Sequence, residues 1–146
     1  MAAVLSGHAW RGDVALATLR AAAVAKVNAE AEAVRLNYIT DGVGQTMTYD
    51  AKLSEARLIL IDEASKAAAD AMDEATLKAH YPMIWSGLGV DGAKPSDVAA
   101  LVQGKALAWA QIGATIERKR RQAHAGIGAA TTPEQVAVAA TVDWTA

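Results

Sequence analysis

Apolar and polar positions alternate with a helical period over most of this chain. From Asp13 to Leu36 apolar side chains recur at steps of three and four, and a second long segment, residues 96–125, repeats that pattern. A third apolar stripe begins near residue 50 and continues to about residue 67. Because amphipathic stripes must be buried against one another, the pattern predicts an all-α fold, an antiparallel helical bundle built on two long helices.

Capping residues predict where several of the helices begin and end. Asp13 is the expected N-cap of the first long helix, and Ser96 that of the second. A short helix is expected over residues 74–79, just ahead of Pro82. A final helix should begin after Thr132, with a proline at its first position. The bundle therefore contains two to three shorter helices besides the two long ones.

The periodicity breaks between residues 38 and 49, where polar and β-prone residues surround Asp41 and Gly42. An Asp-Gly pair between such runs is a turn signal. The residues fit a small hairpin there and a loop without strands equally well. Residues 13–146 are expected to form a single helical domain. Residues 1–12 form an N-terminal segment to which the sequence assigns no role.

Composition supports helices and excludes several classes of function. The chain has 36 alanines among 146 residues and 5% aromatic residues, which favours closely packed helices over a sheet. Its net charge of −2 gives no field that would attract nucleic acid, and no apolar stretch is long enough for a membrane span. The first residues do not resemble a signal peptide, so we expect a product made in the cytoplasm.

Residues that could carry catalysis or bind a metal do not form recognisable motifs. The three histidines, His8, His80 and His124, are far apart and lack the spacing of metal ligands, and the chain has no cysteine. The glycine pairs match neither the P-loop nor the dinucleotide fingerprint. We therefore expect a protein that is not an enzyme, with no catalytic residues, no metal, no cofactor and no small-molecule substrate.

The remaining candidates are a basic run and four tryptophans. The basic run, which could bind an acidic partner surface, lies toward the end of a long helix, where cations also stabilise the helix dipole. Trp85 and Trp109 are expected in the core, the latter together with Ile112 and Ile116. The tryptophans in the terminal segments could instead bind a partner subunit. The expected partner-binding residues are Trp10, Arg118, Lys119, Arg120, Arg121 and Trp144.

Taken in order, several segments resemble a helical region of small bacteriophage and prophage proteins associated with tails and tail fibres. The similarity covers residues 16–146 and depends on order and spacing, since none of its pieces is a diagnostic motif. The residues that carry it are Lys26-Val27-Asn28-Ala29; Tyr38-Ile39-Thr40 with Gly44-Gln45 and Tyr49; Lys52 with Glu55-Ala56; Tyr81-Pro82; Trp109 with Ile112 and Ile116; and Ala129-Ala130-Thr131-Thr132-Pro133 with Asp143-Trp144.

This resemblance implies a non-enzymatic structural protein of the virion, located at the tail or its fibres. The alternative that it implies is a chaperone for tail-fibre assembly that is not retained in the particle. In either case the expected partners are other phage structural proteins and copies of the same chain, which would form a homo-oligomer, with no specific nucleic acid and no membrane. The residues that make these contacts do not follow from the resemblance.

Overall fold

Seven α-helices account for the regular structure in the computed structural model, which describes residues 2–39 and 42–145, with side chains from Gly12 onward except that of Val43. In chain order they are α1 (Ala2–Leu36), α2 (Val43–Ile59), α3 (Glu63–Asp70), α4 (Glu74–His80), α5 (Pro82–Trp85), α6 (Pro95–Ala129) and α7 (Pro133–Ala139). These residues contain no strand, only an isolated bridge between Leu88 and Gly92. The predicted all-α class is confirmed.

The chain divides into two compact units, each with its own buried cluster. The first unit combines Met1–Ile39 with Ile112–Ala146, and the second comprises Thr40–Gln111. The first part of α6 therefore belongs to the second unit and the rest of that helix to the first.

Small side chains dominate the core of the first unit, where α1, α6 and α7 meet. Its largest buried residues are Val27 and Ile127, which are 0% and 1% exposed. At Gly126 an added Cβ would lie 3.1 Å from the Cβ of Ala139, so the absence of a side chain there allows α7 to lie close to α6. The buried cluster consists of Ala23, Val27, Ala123, Ile127, Ala130, Val136 and Ala140.

Larger aliphatic residues form the core of the second unit. Ile59 of α2, Ile84 of α5 and Val98 of α6 are each 0% exposed, and three alanines complete this cluster. A polar contact joins two of these helices, because the backbone N–H of Ile84 donates to Glu55 Oε2 at 2.9 Å. Glu55 thus satisfies one of the free N–H groups at the start of α5.

The first two helices begin earlier than predicted. α1 starts at Ala2, so the prediction of Asp13 as its N-cap is wrong. The residues before Asp13 include two glycines but no proline, and glycine weakens a helix without ending it. Both alternatives predicted for residues 38–49, a hairpin and a loop, are wrong from residue 43 onward, where α2 begins; Thr40 and Asp41 lie outside the described residues.

The predicted helix over residues 50–67 is two helices. α2 ends at Ile59 and α3 begins at Glu63. Asp62 lies between them with an extended backbone, and its carboxylate accepts the N–H of Ser65 at 2.6 Å. This N-cap stabilises a new helix start and interrupts the apolar stripe.

The boundaries of α6 also differ from prediction. Ser96 lies inside the helix, and its N–H and Oγ donate to the carboxylate of Asp70 at 2.9 and 2.6 Å. A side chain distant in sequence therefore caps this helix, a contact that local patterns do not predict. At its other end α6 continues through Gly126 and Gly128 to Ala129.

Other predictions of helices and core residues have mixed outcomes. The short helix before Pro82 is confirmed as α4, and Thr132 caps α7 as predicted, accepting the N–H of Gln135. Of the predicted core residues on α6 only Ile116 is buried, at 4% exposure. The others, Trp109 and Ile112, are partly buried, as is Trp85. None of the helices in the described ranges is long and apolar enough to cross a membrane.

Candidate functional site

An open pocket lies in the second unit, between α3, α4, α5 and the turn before α6. Its volume is about 640 Å³, and its walls combine apolar side chains with a few charged ones. The residues that form most of its wall are Asp70, Met72, Glu74, Leu77, Trp85 and Leu88.

The acidic groups of this pocket form bonds within the protein. Asp70 caps α6 through Ser96, and Glu74 Oε1 accepts the indole N–H of Trp85 at 3.1 Å. Lys78 Nζ lies 4.6 Å from the centre of the Trp85 ring, in a cation–π contact. Each of these charged groups therefore supports the local fold, and the carboxylates fix the positions of α6 and Trp85.

In the basic run on α6, two side chains form hydrogen bonds within the protein and two are exposed to solvent. Arg120 donates from Nε and Nη2 to the two carboxylate oxygens of Glu117, both at 2.8 Å, and its Nη1 donates to Asn28 Oδ1 at 3.1 Å. Lys119 Nζ donates to the backbone oxygen of Asp143 at 2.6 Å. Of the four basic residues, Arg118 and Arg121 are exposed, whereas Lys119 and Arg120 are half-buried.

Glu117 is the centre of the ion pairs in the first unit. Besides Arg120 it accepts a bond from Arg35 Nη2 of α1 at 3.1 Å. The hydrogen bonds from Arg120, assisted by the positive charges of Arg120, Arg35 and Arg121, lower the pKa of Glu117 from 4.5 to about 2. This carboxylate therefore keeps its charge well into the acidic range.

Replacing Glu117 with glutamine should change how stability depends on pH. A lowered carboxyl pKa stabilises the fold above the unfolded value of 4.5, and this contribution disappears as the pH falls toward about 2. The thermal midpoint of Glu117→Gln should therefore lie below that of the original protein near neutral pH and converge with it in strong acid. Glu134→Gln, which removes one negative charge at the start of α7, is the control; an equal pH dependence for the two variants would contradict this account.

The C-terminal segment lies against α1, where Trp144 Nε1 donates to Glu30 Oε2 at 3.0 Å. Lys26 Nζ forms an ion pair with Glu30 Oε1 at 2.8 Å and donates to the backbone oxygen of Ala140 at 3.0 Å. These bonds from Lys26 and Trp144 lower the pKa of Glu30. Trp144 therefore binds within its own chain, packed against the buried cluster of the first unit.

Trp144→Phe should lower the free energy of unfolding by about 1 kcal/mol, because the hydrogen bond to Glu30 is lost while most of the apolar contact remains. Urea denaturation measures the change. Trp109→Phe is a matched control, since Trp109 is also partly buried but donates no indole hydrogen bond to another described residue. Equal losses in the two variants would show that the bond to Glu30 contributes nothing.

The remaining predicted site residue, Trp10, lies in α1, and its side chain is outside the described part of the protein. Within the described ranges, no three histidine, aspartate or glutamate side chains are placed to hold a metal ion.

An exposed apolar face of α2 is the feature that sequence reasoning did not resolve. The run of residues 58–61 faces more than one direction: Ile59 is buried, whereas Leu58 and Ile61 are 58% and 71% exposed. Met47, earlier in α2, is 67% exposed. The spacing of Met47 and Leu58, which places them on one side of a helix, is the signal from which this face could have been found.

Comparison of this chain with protein-family models, with curated protein sequences and with solved structures finds no match in any of the three.

Proposed function

We propose that this chain is a non-enzymatic structural protein of a bacteriophage particle, located at the tail or tail fibres and bound to other phage proteins and to copies of itself. The observation that carries the binding role is the exposed apolar surface of Met47, Leu58 and Ile61, each at least 58% exposed. Met47 and Leu58 lie on one side of α2, and large apolar side chains exposed along one side of a helix are typical of surfaces that bind another protein. The phage context comes from the resemblance over residues 16–146.

The chemistry of the pocket supports a binding role over a catalytic one. Its carboxylates, Asp70 and Glu74, already accept hydrogen bonds from Ser96 and Trp85. A catalytic acid or base needs to reach a substrate proton, whereas these two carboxylates bind groups of the protein itself. We propose that the pocket receives a side chain of a partner protein.

We further propose that α1 and the second half of α6 run antiparallel in a helical bundle. Three contacts support this arrangement: Arg20 donates to the backbone oxygen of Ala130, Arg120 to Asn28, and Arg35 to Glu117. Across these pairs, positions later in α1 meet positions earlier in α6. Such a bundle provides a rigid support for surfaces that contact neighbouring proteins.

Of the basic run, Arg118 and Arg121 are the residues that we propose to contact an acidic partner surface. Both are exposed, whereas Lys119 and Arg120 form bonds to Asp143, Glu117 and Asn28. A partner that engaged all four would have to replace those bonds. The proposed contact surface therefore includes two of the four basic residues that the sequence predicts.

A chaperone for tail-fibre assembly is the second candidate function. The exposed α2 face favours it as well, because a chaperone covers apolar surface of its client until assembly is complete. The two functions differ in what remains at the end: a virion component stays in the particle, whereas a chaperone leaves it.

Mass spectrometry of particles purified from the phage or induced prophage that encodes this chain tests the proposal. A virion component should be present in a constant ratio to the major tail protein through successive purification steps. Its absence from particles, together with its presence in lysates, would overturn the structural role and favour the chaperone.

A further inference from the structure

The exposed face of α2 has the spacing of a coiled-coil seam. Met47, Ala51, Ser54, Leu58 and Ile61 follow one another at steps of four and three, with Ile61 just beyond the end of the helix. This stripe lies on the side opposite the buried cluster, which takes Ala56 and Ile59 from α2. The helix is thus packed on one face and unpaired on the other.

The charged residues beside this stripe complement those of a second copy of the chain. Asp50 and Arg57 lie seven residues apart, on the same flank of the stripe. Neither side chain forms an ion pair with another described residue. When two identical helices pair in opposite directions, equivalent flanks face each other, so Asp50 of each copy meets Arg57 of the other.

We propose that α2 binds α2 of a second copy of this chain in an antiparallel, two-fold symmetric pair. Met47 packs against Leu58 of the second copy at both ends, while Ala51 lies opposite Ser54 near the axis. The small central residues allow the two helices to approach closely. This inference rests on the proposed function, in which the chain binds copies of itself, and it identifies the surface that is used.

The flanking charges also disfavour the parallel alternative. In a parallel pair Asp50 would lie beside Glu55 of the second copy, which places two negative charges together on each side. Glu55 is moreover bonded to the backbone N–H of Ile84 and holds its position in the fold. The antiparallel pair replaces both repulsions with attractions.

The pair should be weak in isolation, because α2 is 17 residues long and presents few large side chains. A stable interface buries about 800 Å² on each partner, more than this stripe offers, so we expect a dissociation constant of roughly 1–100 µM. Neighbouring proteins in an assembly would raise the effective concentration and strengthen the pair.

Sedimentation equilibrium over this concentration range tests the proposal, with helical content checked for each variant by circular dichroism. The unaltered protein should change from monomer to dimer, and Leu58→Asp should remain a monomer. Leu107→Asp is the matched control, since Leu107 is 62% exposed on α6 and lies off the stripe. Asp50→Arg and Arg57→Asp should each weaken the dimer by about tenfold, and the double variant should restore it.

Cysteine cross-linking tests the direction of the helices, because the chain contains no cysteine of its own. Oxidation of a mixture of Ala51→Cys and Ser54→Cys should give a disulfide-linked dimer with one copy of each, since these positions face each other in the antiparallel pair. Efficient dimers within each variant alone would indicate a parallel pair and contradict the proposal.

Three results would overturn the α2 pair: a monomer at every concentration, a dimer unaffected by Leu58→Asp, or a double charge reversal that fails to restore binding. These results differ from a failure of the proposed function. A chain found in particles but monomeric in solution and unlinked through α2 would retain the function and lose this interface. A dimer that is absent from particles would retain the interface and lose the virion role.

Discussion

Ile127→Ala should lower the free energy of unfolding by ~2–5 kcal/mol, one of the two largest effects that we expect from a single substitution. Ile127 is 1% exposed and packs with Val27 of α1 and Val136 of α7. The change removes buried methyl groups and leaves a cavity among small alanine side chains, which have few atoms with which to fill it. Because a domain of this size is stable by about 5–15 kcal/mol, the loss should be evident in chemical denaturation.

Val138→Ala is the control for Ile127. Val138 lies on α7 with 75% of its surface exposed, so its truncation should change stability by no more than about 0.5 kcal/mol. All variants should be compared at one protein concentration, since the proposed self-association would also contribute to apparent stability. An effect of Ile127→Ala as small as that of Val138→Ala would show that α1, α6 and α7 do not share a packed core.

Ile59→Ala should be equally damaging to the second unit, at ~2–5 kcal/mol. Ile59 is 0% exposed and contributes to the cluster that contains Ile84 of α5 and Val98 of α6. Its truncation removes the largest side chain that α2 places in that cluster. Amide exchange in α2 and α5 should accelerate, because the buried contacts that protect both helices are weakened.

Leu107→Ala tests whether position in the core, and not size alone, determines this effect. Leu107 has a side chain of the same size but is 62% exposed, so its truncation should be nearly neutral. A comparable loss from Ile59→Ala and Leu107→Ala would contradict the assignment of Ile59 to the core.

The all-α class and the two short helices α4 and α7 could be predicted from local signals, but several helix boundaries could not. Thr132 followed by proline is a local cap, and the structure has α7 there. The start of α6 depends on Asp70, a residue distant in sequence, and no local pattern identifies that partner. Alanine-rich faces also give little contrast between buried and exposed sides, so a large apolar residue such as Trp109 is predicted in the core, although smaller residues fill both buried clusters.

The candidate surfaces were predictable only in part for a similar reason. Consecutive residues on a helix are rotated by about 100°, so four adjacent basic residues cannot all face one partner. The same helical geometry brings residues three positions apart together, so the pairing of Glu117 with Arg120 could be predicted from the sequence. The bond of Trp144 to Glu30 joins opposite ends of the chain, and only the fold brings them together.

Cross-linking mass spectrometry on intact phage particles is the most direct test of the proposed virion role, because it shows whether this chain contacts other structural proteins within the particle. Exposed lysines, such as Lys94 and Lys105, are suitable attachment points. We expect cross-links from this chain to tail or fibre proteins and to other copies of itself. Particles in which those proteins are cross-linked to one another but never to this chain would contradict it.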